Sequence, residues 1–191
     1  MQDNSTFKSD QALQKVTLGE CKPHNAPITL LEYDSRWPKL FDKEANRIRS
    51  VLSNKALQVK HVGSTSVPGM CAKPIIDILL VVMDSADETN YVQDLEQAGY
   101  INLHVFSKGA SEVDRMLRFR DWLRANKYDR DNYARVKRDL AQRNWRRVQH
   151  YADAKKLDRT GNHGKSKRSG VDDLLKGRAE RDKQMILKRS S

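Results

Sequence analysis

One carboxylate, Asp77, stands alone in the apolar run IIDILLVV, and the small-residue turn Gly63-Ser64-Thr65-Ser66 shortly precedes it. Glycine lets a backbone approach a ligand closely, and the turn's N–H groups and hydroxyls are donors suited to phosphate oxygens. A carboxylate suits Mg²⁺, which keeps several waters and takes other ligands from substrate phosphates. Side by side, the two features point to a nucleotide and a metal. Each also has a plainer reading. Any turn between strands favours Gly and Ser, and a buried Asp is satisfied equally by backbone amides or an arginine. The flanking alternate positions are Ile75 and Leu79, so no D-x-D pair is present, and the chain has no GxxxxGK[ST] phosphate loop.

Five further residues have types suited to this chemistry. His61 and His104 flank the turn on neighbouring apolar segments. Either imidazole suits acid–base work or a phosphate contact, and either suits a hydrogen-bonded core position. Lys73 leads into the Asp77 run and supplies a point charge for phosphate. Arg120 and Arg124 are helical neighbours, spaced to clamp a phosphate or to form surface ion pairs with Asp121.

The elements that must position these groups follow from pattern. ITLLEY, 28–33, reads as a first strand. Asp34, Ser35 and Pro38 open a helix over about 36–53, whose Trp37, Leu40, Phe41, Ile48, Val51 and Leu52 share one face. VKHV is a strand, the GST turn follows, and IIDILLVV reads as a fully buried strand. Ser85 and Glu88 form a capping box opening a helix that ends at Gly99. INLHVF alternates, with His104 on the face opposite Leu103 and Val105. Helices are expected from Ser111 and from about Arg130 to Tyr151. Crossover helices mixed with directly consecutive strands predict an α+β domain with a mixed sheet.

The 191 residues carry a net charge of +11, unevenly placed: from Arg143 onward stand 15 basic and 6 acidic residues. The reading divides the chain into a flexible lead-in, 1–26, a folded domain, 27–156, and a basic tail, 157–191. Such a tail attracts polyanions such as RNA, or simply keeps a protein in solution. No stretch approaches the about 20 apolar residues of a membrane helix. The opening residues lack a secretory signal's apolar stretch, and Cys21 and Cys71 form neither a metal motif nor a disulfide framework. The expectation is a cytoplasmic protein with reduced thiols and no membrane contact.

The ordered motifs ITLLEYDSRWPKLFDKEANRI, HVGSTSVPGMCAKPIIDILLVV, NLHVFSKG, LRFRDWLRAN, YARVKRDLA and YADAK resemble the GrpB family over about Ile28 to Lys155. That family resembles nucleotidyltransferase-fold proteins, so the resemblance implies a nucleotidyltransferase-like mixed sheet with flanking helices and a helical C-terminal part. Gly63 and Ser64 match the fold's Gly-Ser pair, and Asp77 matches one of its metal-binding acids. The implied activity is Mg²⁺-dependent nucleotidyl transfer. Asp77 and His104 would be catalytic, with Asp77 on the metal. Gly63, Ser64, Thr65, Ser66, Lys73 and Arg120 would hold the nucleotide. The alternatives are a nucleotide- or phosphometabolite-binding protein without turnover, or an RNA-binding protein using the basic quarter. Some GrpB-like segments are fused to dephospho-CoA kinase, but without a phosphate loop kinase activity is not implied here. This chain departs from the pattern twice. Leu79 replaces a second acid, and Gly99-Tyr100 runs straight into INLHVF where relatives have a further hairpin.

Overall fold

The computed structural model describes residues 28–98, 103–145, 150, 151 and 154. The lead-in, Cys21, the 99–102 connection and the basic tail lie outside these residues. Among the described residues a three-stranded sheet runs in the order β1 (Gln58–Val62), β2 (Asp77–Val82), β3 (Leu103–Ser107). β1 pairs antiparallel with β2, and β3 pairs parallel with it, so the expected mixed sheet is present. β2 is central and covered on both faces, which is why DILLVV reads as a nearly continuous apolar run.

Helix α1 (Trp37–Leu52) and the short α2 (Val92–Gln97) cover one sheet face. Ala45, Ile48 and Leu52 of α1 pack with Val59, Ile78, Leu80, Leu103 and Val105. Burying Ile48 and Leu52 contributes about 2 kcal/mol each. Helix α3 (Ser111–Ala125) covers the other face, where Val113 meets Val62, Leu79, Val81 and Phe106. Helix α4 (Lys127–Ala141) turns back and places Ala134 with Leu123 against Val67, Met70 and Cys71. The C-terminal helical part therefore packs on the loop that joins the turn to β2.

Several expectations are corrected. Residues 28–33 form no strand: Leu31 makes one isolated antiparallel bridge with Ala72, through hydrogen bonds of 2.8 and 2.9 Å. Ile28 instead donates to the Ala141 carbonyl, which holds this segment along the C-terminal helices and away from the sheet. Asp34 does not cap α1; its carboxylate accepts from the Arg36 backbone and guanidinium one step upstream. β2 begins at Asp77, leaving Ile75 and Ile76 outside it, so the acid sits at the strand's mouth with its side chain 35% exposed.

The Ser85–Glu88 capping box does not form. Ser85 is drawn to Ser107, and Asp87 heads a short 3-10 turn, Glu88–Asn90, before α2. Helix α4 stops at Ala141, where the Trp145 indole and the Gln142 and Arg143 amides all turn onto Leu140 O, and His150, Tyr151 and Ala154 are helical again.

Tyr91 ties the α2 entry to β2's end. Its buried hydroxyl donates to Ser85 O at 2.7 Å, and burial pushes its pKa up to about 12. Tyr91→Phe should therefore cost about 1 kcal/mol or somewhat more, since it leaves that carbonyl unpaired. Urea unfolding would check this.

Candidate functional site

The turn after β1 folds as a single 3-10 turn, Ser64–Ser66, entered through Gly63 at φ 69° and ψ −173°. Only glycine adopts that backbone region without strain. Thr65 and Ser66 are buried, and the Ser66 hydroxyl closes the turn by donating to Gly63 O at 2.6 Å. Asp77 pairs with Val62 in register, which sets its carboxylate directly over Gly63. A methyl group on Gly63 would lie 2.1 Å from Asp77 Oδ2, so glycine here also makes room for the acid.

Asp77 opens into a cleft of about 140 Å³ with Ser64, Thr65, Lys73, Lys137 and Tyr151 on its walls. His104, next to Asp77 on the same sheet face, places Nε2 3.8 Å from Asp77 Oδ1. The structure thus brings Gly63, Ser64, Thr65, Lys73, Asp77 and His104 together. Arg120 and Ser66 face elsewhere: both line a second cavity beyond the turn, with His61.

Sequence reading missed Lys137. Its side chain is buried and its ammonium donates to Cys71 O. Tyr133 lies one turn before it, with the ring centroid 5.8 Å from Nζ. A signal was present, since 133, 137 and 140 fall on one helical face, where a lysine among apolar residues is out of place. Tyr151, whose hydroxyl pKa is raised by burial, closes the cleft from the C-terminal side.

Among the described residues no three His, Cys, Asp or Glu side chains gather as a metal site. One carboxylate with two lysines nearby suits a cation that arrives on a ligand's phosphates better than a resident ion. Leu79, two residues on from Asp77, is fully buried between the sheet and α3.

A family pattern described as GrpB protein matches residues 27–101 and 101–157. The chain belongs to the GrpB family. A UPF0157 protein of Halalkalibacterium halodurans is 72% identical over 173 residues, covering 80% of this chain and 89% of the relative. A UPF0157 protein of Streptomyces coelicolor is 38% identical over 151 residues, covering 70% of this chain and 81% of the relative. The crystal structure of a GrpB protein from Enterococcus faecalis superposes with a TM-score of 0.55 at 30% identity, over 60% of this chain and 83% of that one. The two matched segments meet at residue 101. The mixed α+β architecture is that of the family. No helix among the described residues is long and apolar enough to cross a membrane.

Proposed function

We propose that this GrpB-family chain binds the phosphates of a nucleotide in the Asp77 cleft and transfers a nucleotidyl group to an acceptor. One observation supports the reading above the others. The Asp77 carboxylate lies against Gly63 Cα in a cleft shared with Ser64, Thr65, Lys73 and Lys137. Ser64 and Thr65 would donate to phosphate oxygens, and the two lysines would balance their charge. Mg²⁺ carried in with the triphosphate would neutralise charge that develops on the phosphates in transfer. Asp77 would be its one protein carboxylate, and His104 is placed to orient that carboxylate or accept a proton from the acceptor.

A second reading, binding of a nucleotide or phosphometabolite without turnover, is favoured by two specific observations. The second acid is replaced by a buried leucine, and a cleft of about 140 Å³ holds phosphate groups but not a whole nucleoside.

Isothermal titration with ATP, with and without Mg²⁺, paired with a pyrophosphate-release assay across a panel of acceptors, separates the readings. Asp77→Asn should abolish the Mg²⁺ dependence of binding and lower affinity about tenfold. Lys137→Met should weaken binding by a similar factor whether or not Mg²⁺ is present. Pyrophosphate release that disappears in Asp77→Asn supports transfer. Binding with these mutant effects but no release leaves the binding reading. Affinity unchanged in both variants removes the cleft from either.

A further inference from the structure

Across the turn from Asp77 lies a second and larger cavity, of about 400 Å³, and the two share no lining residue. Arg49, Lys60, Arg120 and Arg124 contribute its charge, and Phe41 and Tyr33 add aromatic surface. Asp42 is the one carboxylate in its lining. The volume lies in the range of small-molecule sites.

Arg124 and Arg49 are held by neutral acceptors, and Arg120 by one carbonyl together with a two-pronged ion pair to Asp121. Arg120 Nη1 donates to His61 O at 3.0 Å. Arg124 donates from Nε and Nη2 to Ser66 O at 3.0 and 2.7 Å. Arg49 Nη2 reaches Val59 O at 3.4 Å, and its Nη1 reaches Asn46 Oδ1 at 3.2 Å. Carbonyl oxygens fix a guanidinium's position without cancelling its charge. Asp121 alone is shared between two of them, 2.7 Å from Arg120 and 3.6 Å from Arg124, on the solvent side where it is 55% exposed.

The accumulated charge is visible in neighbouring groups. Burial and the adjacent Arg120 lower the Arg124 pKa, and burial with Arg124 keeps His61 neutral. His61 lies flat on Phe41, with ring centroids 4.8 Å apart and 3° between planes, so one wall is a stacked ring pair.

We infer that this cavity is a binding site for a phosphorylated small molecule, its phosphomonoester dianion held by Arg120, Arg124 and Lys60 and its organic part against Phe41 and Tyr33. Prefixed guanidiniums lose little entropy on engaging a phosphate, and each keeps N–H donors beyond those given to Asp121, His61 O and Ser66 O. The site is independent of nucleotidyl transfer and needs no metal.

The test is titration of the full-length protein with inorganic phosphate, AMP and citrate in EDTA, by calorimetry and by NMR of the His61 ring. AMP should bind more tightly than phosphate, because it adds stacking, and citrate should bind more weakly than AMP. Bound dianion should raise the His61 pKa. Arg120→Gln with Arg124→Gln should weaken AMP about tenfold or more, and Lys60→Gln, at an exposed strand position where folding is not at risk, by a smaller factor. Asp77→Asn should weaken AMP far less than Arg120→Gln with Arg124→Gln does, and AMP should still raise the His61 pKa in that variant. The inference is overturned by no AMP binding at millimolar concentration, by citrate matching AMP, or by Lys60→Gln having no effect. Loss of binding in Asp77→Asn would equally overturn it, by moving the ligand to the other cleft.

Discussion

Gly63→Ala is expected to destabilise the protein by about 3 kcal/mol or more, the sum of backbone strain and a collision with Asp77. Gly63 sits at φ 69° and ψ −173°, a conformation costly to any residue with a Cβ. The new methyl would meet Asp77 Oδ2 at 2.1 Å and Cγ at 2.9 Å. Neither partner has a cheap escape. Asp77 is pinned in register opposite Val62, and the turn is closed by Ser66 Oγ on Gly63 O. The two contributions separate in a double-mutant cycle with Asp77→Ala. Removing the carboxylate relieves the 2.1 and 2.9 Å contacts but leaves Cβ at 3.0 Å and the backbone strain. Gly63→Ala should then cost about 1–2 kcal/mol less in the Asp77→Ala background. Equal costs in both backgrounds would show that the carboxylate does not constrain the turn. The arrangement also explains the pairing of Gly with the first strand residue: the acid is presented to the cleft because the turn passes beneath it.

The parts of the fold legible in the sequence are those whose signals are local. The DILLVV run, the α1 stripe ending in Ile48, Val51 and Leu52, and the GST turn each report their own surroundings. Failures occurred where a distant group took over a local donor or acceptor. ITLLEY has strand composition, but Ile28 bonds to Ala141 and Leu31 to Ala72, so no sheet neighbour is available. Ser85 has the right spacing for a cap, yet Ser107, 22 residues on, takes its hydroxyl. The apolar stripe continues past Ala141, but the Trp145 indole on Leu140 O breaks the helix. The site shows the same division. Gly63, Ser64 and Asp77 are legible as a group because they share one short stretch. Lys137 is not legible with them because it reaches the cleft from α4, folded back on Cys71, and Arg120 lies across the turn in the lining of the second cavity.

His61 should make stability depend on pH in a defined window. Burial lowers its pKa from 6.5 to about 4, helped by repulsion from Arg124, against attraction from Asp77, with smaller contributions from Arg120, which lowers it, and Asp42, which raises it. Its hydrogen bond agrees with a neutral ring. Thr65 gives its proton to Ile75 O at 2.9 Å, so at 3.1 Å it accepts from His61 Nε2–H. A base whose folded pKa is depressed takes up its proton more readily when unfolded. The stabilisation is therefore complete above pH 6.5 and is lost as pH falls toward 4, amounting to about 3 kcal/mol. Other carboxylates titrate near the lower end of this window, so the comparison must be with His61→Gln, whose amide still donates toward Thr65. The variant will start less stable at pH 7, having lost the ring stacked on Phe41. Between pH 6.5 and 4.5, however, its unfolding free energy should fall less steeply than wild type, by up to about 1.4 kcal/mol per pH unit. Urea unfolding at several pH values measures both slopes, and parallel slopes would mean that the imidazole is not held neutral. Phosphate adds a further constraint, because an anion beside Arg120 and Arg124 offsets the repulsion that keeps His61 uncharged. Phosphate takes up its own proton in this range and binds both proteins, so the expected result is that the difference between the two slopes narrows with phosphate present.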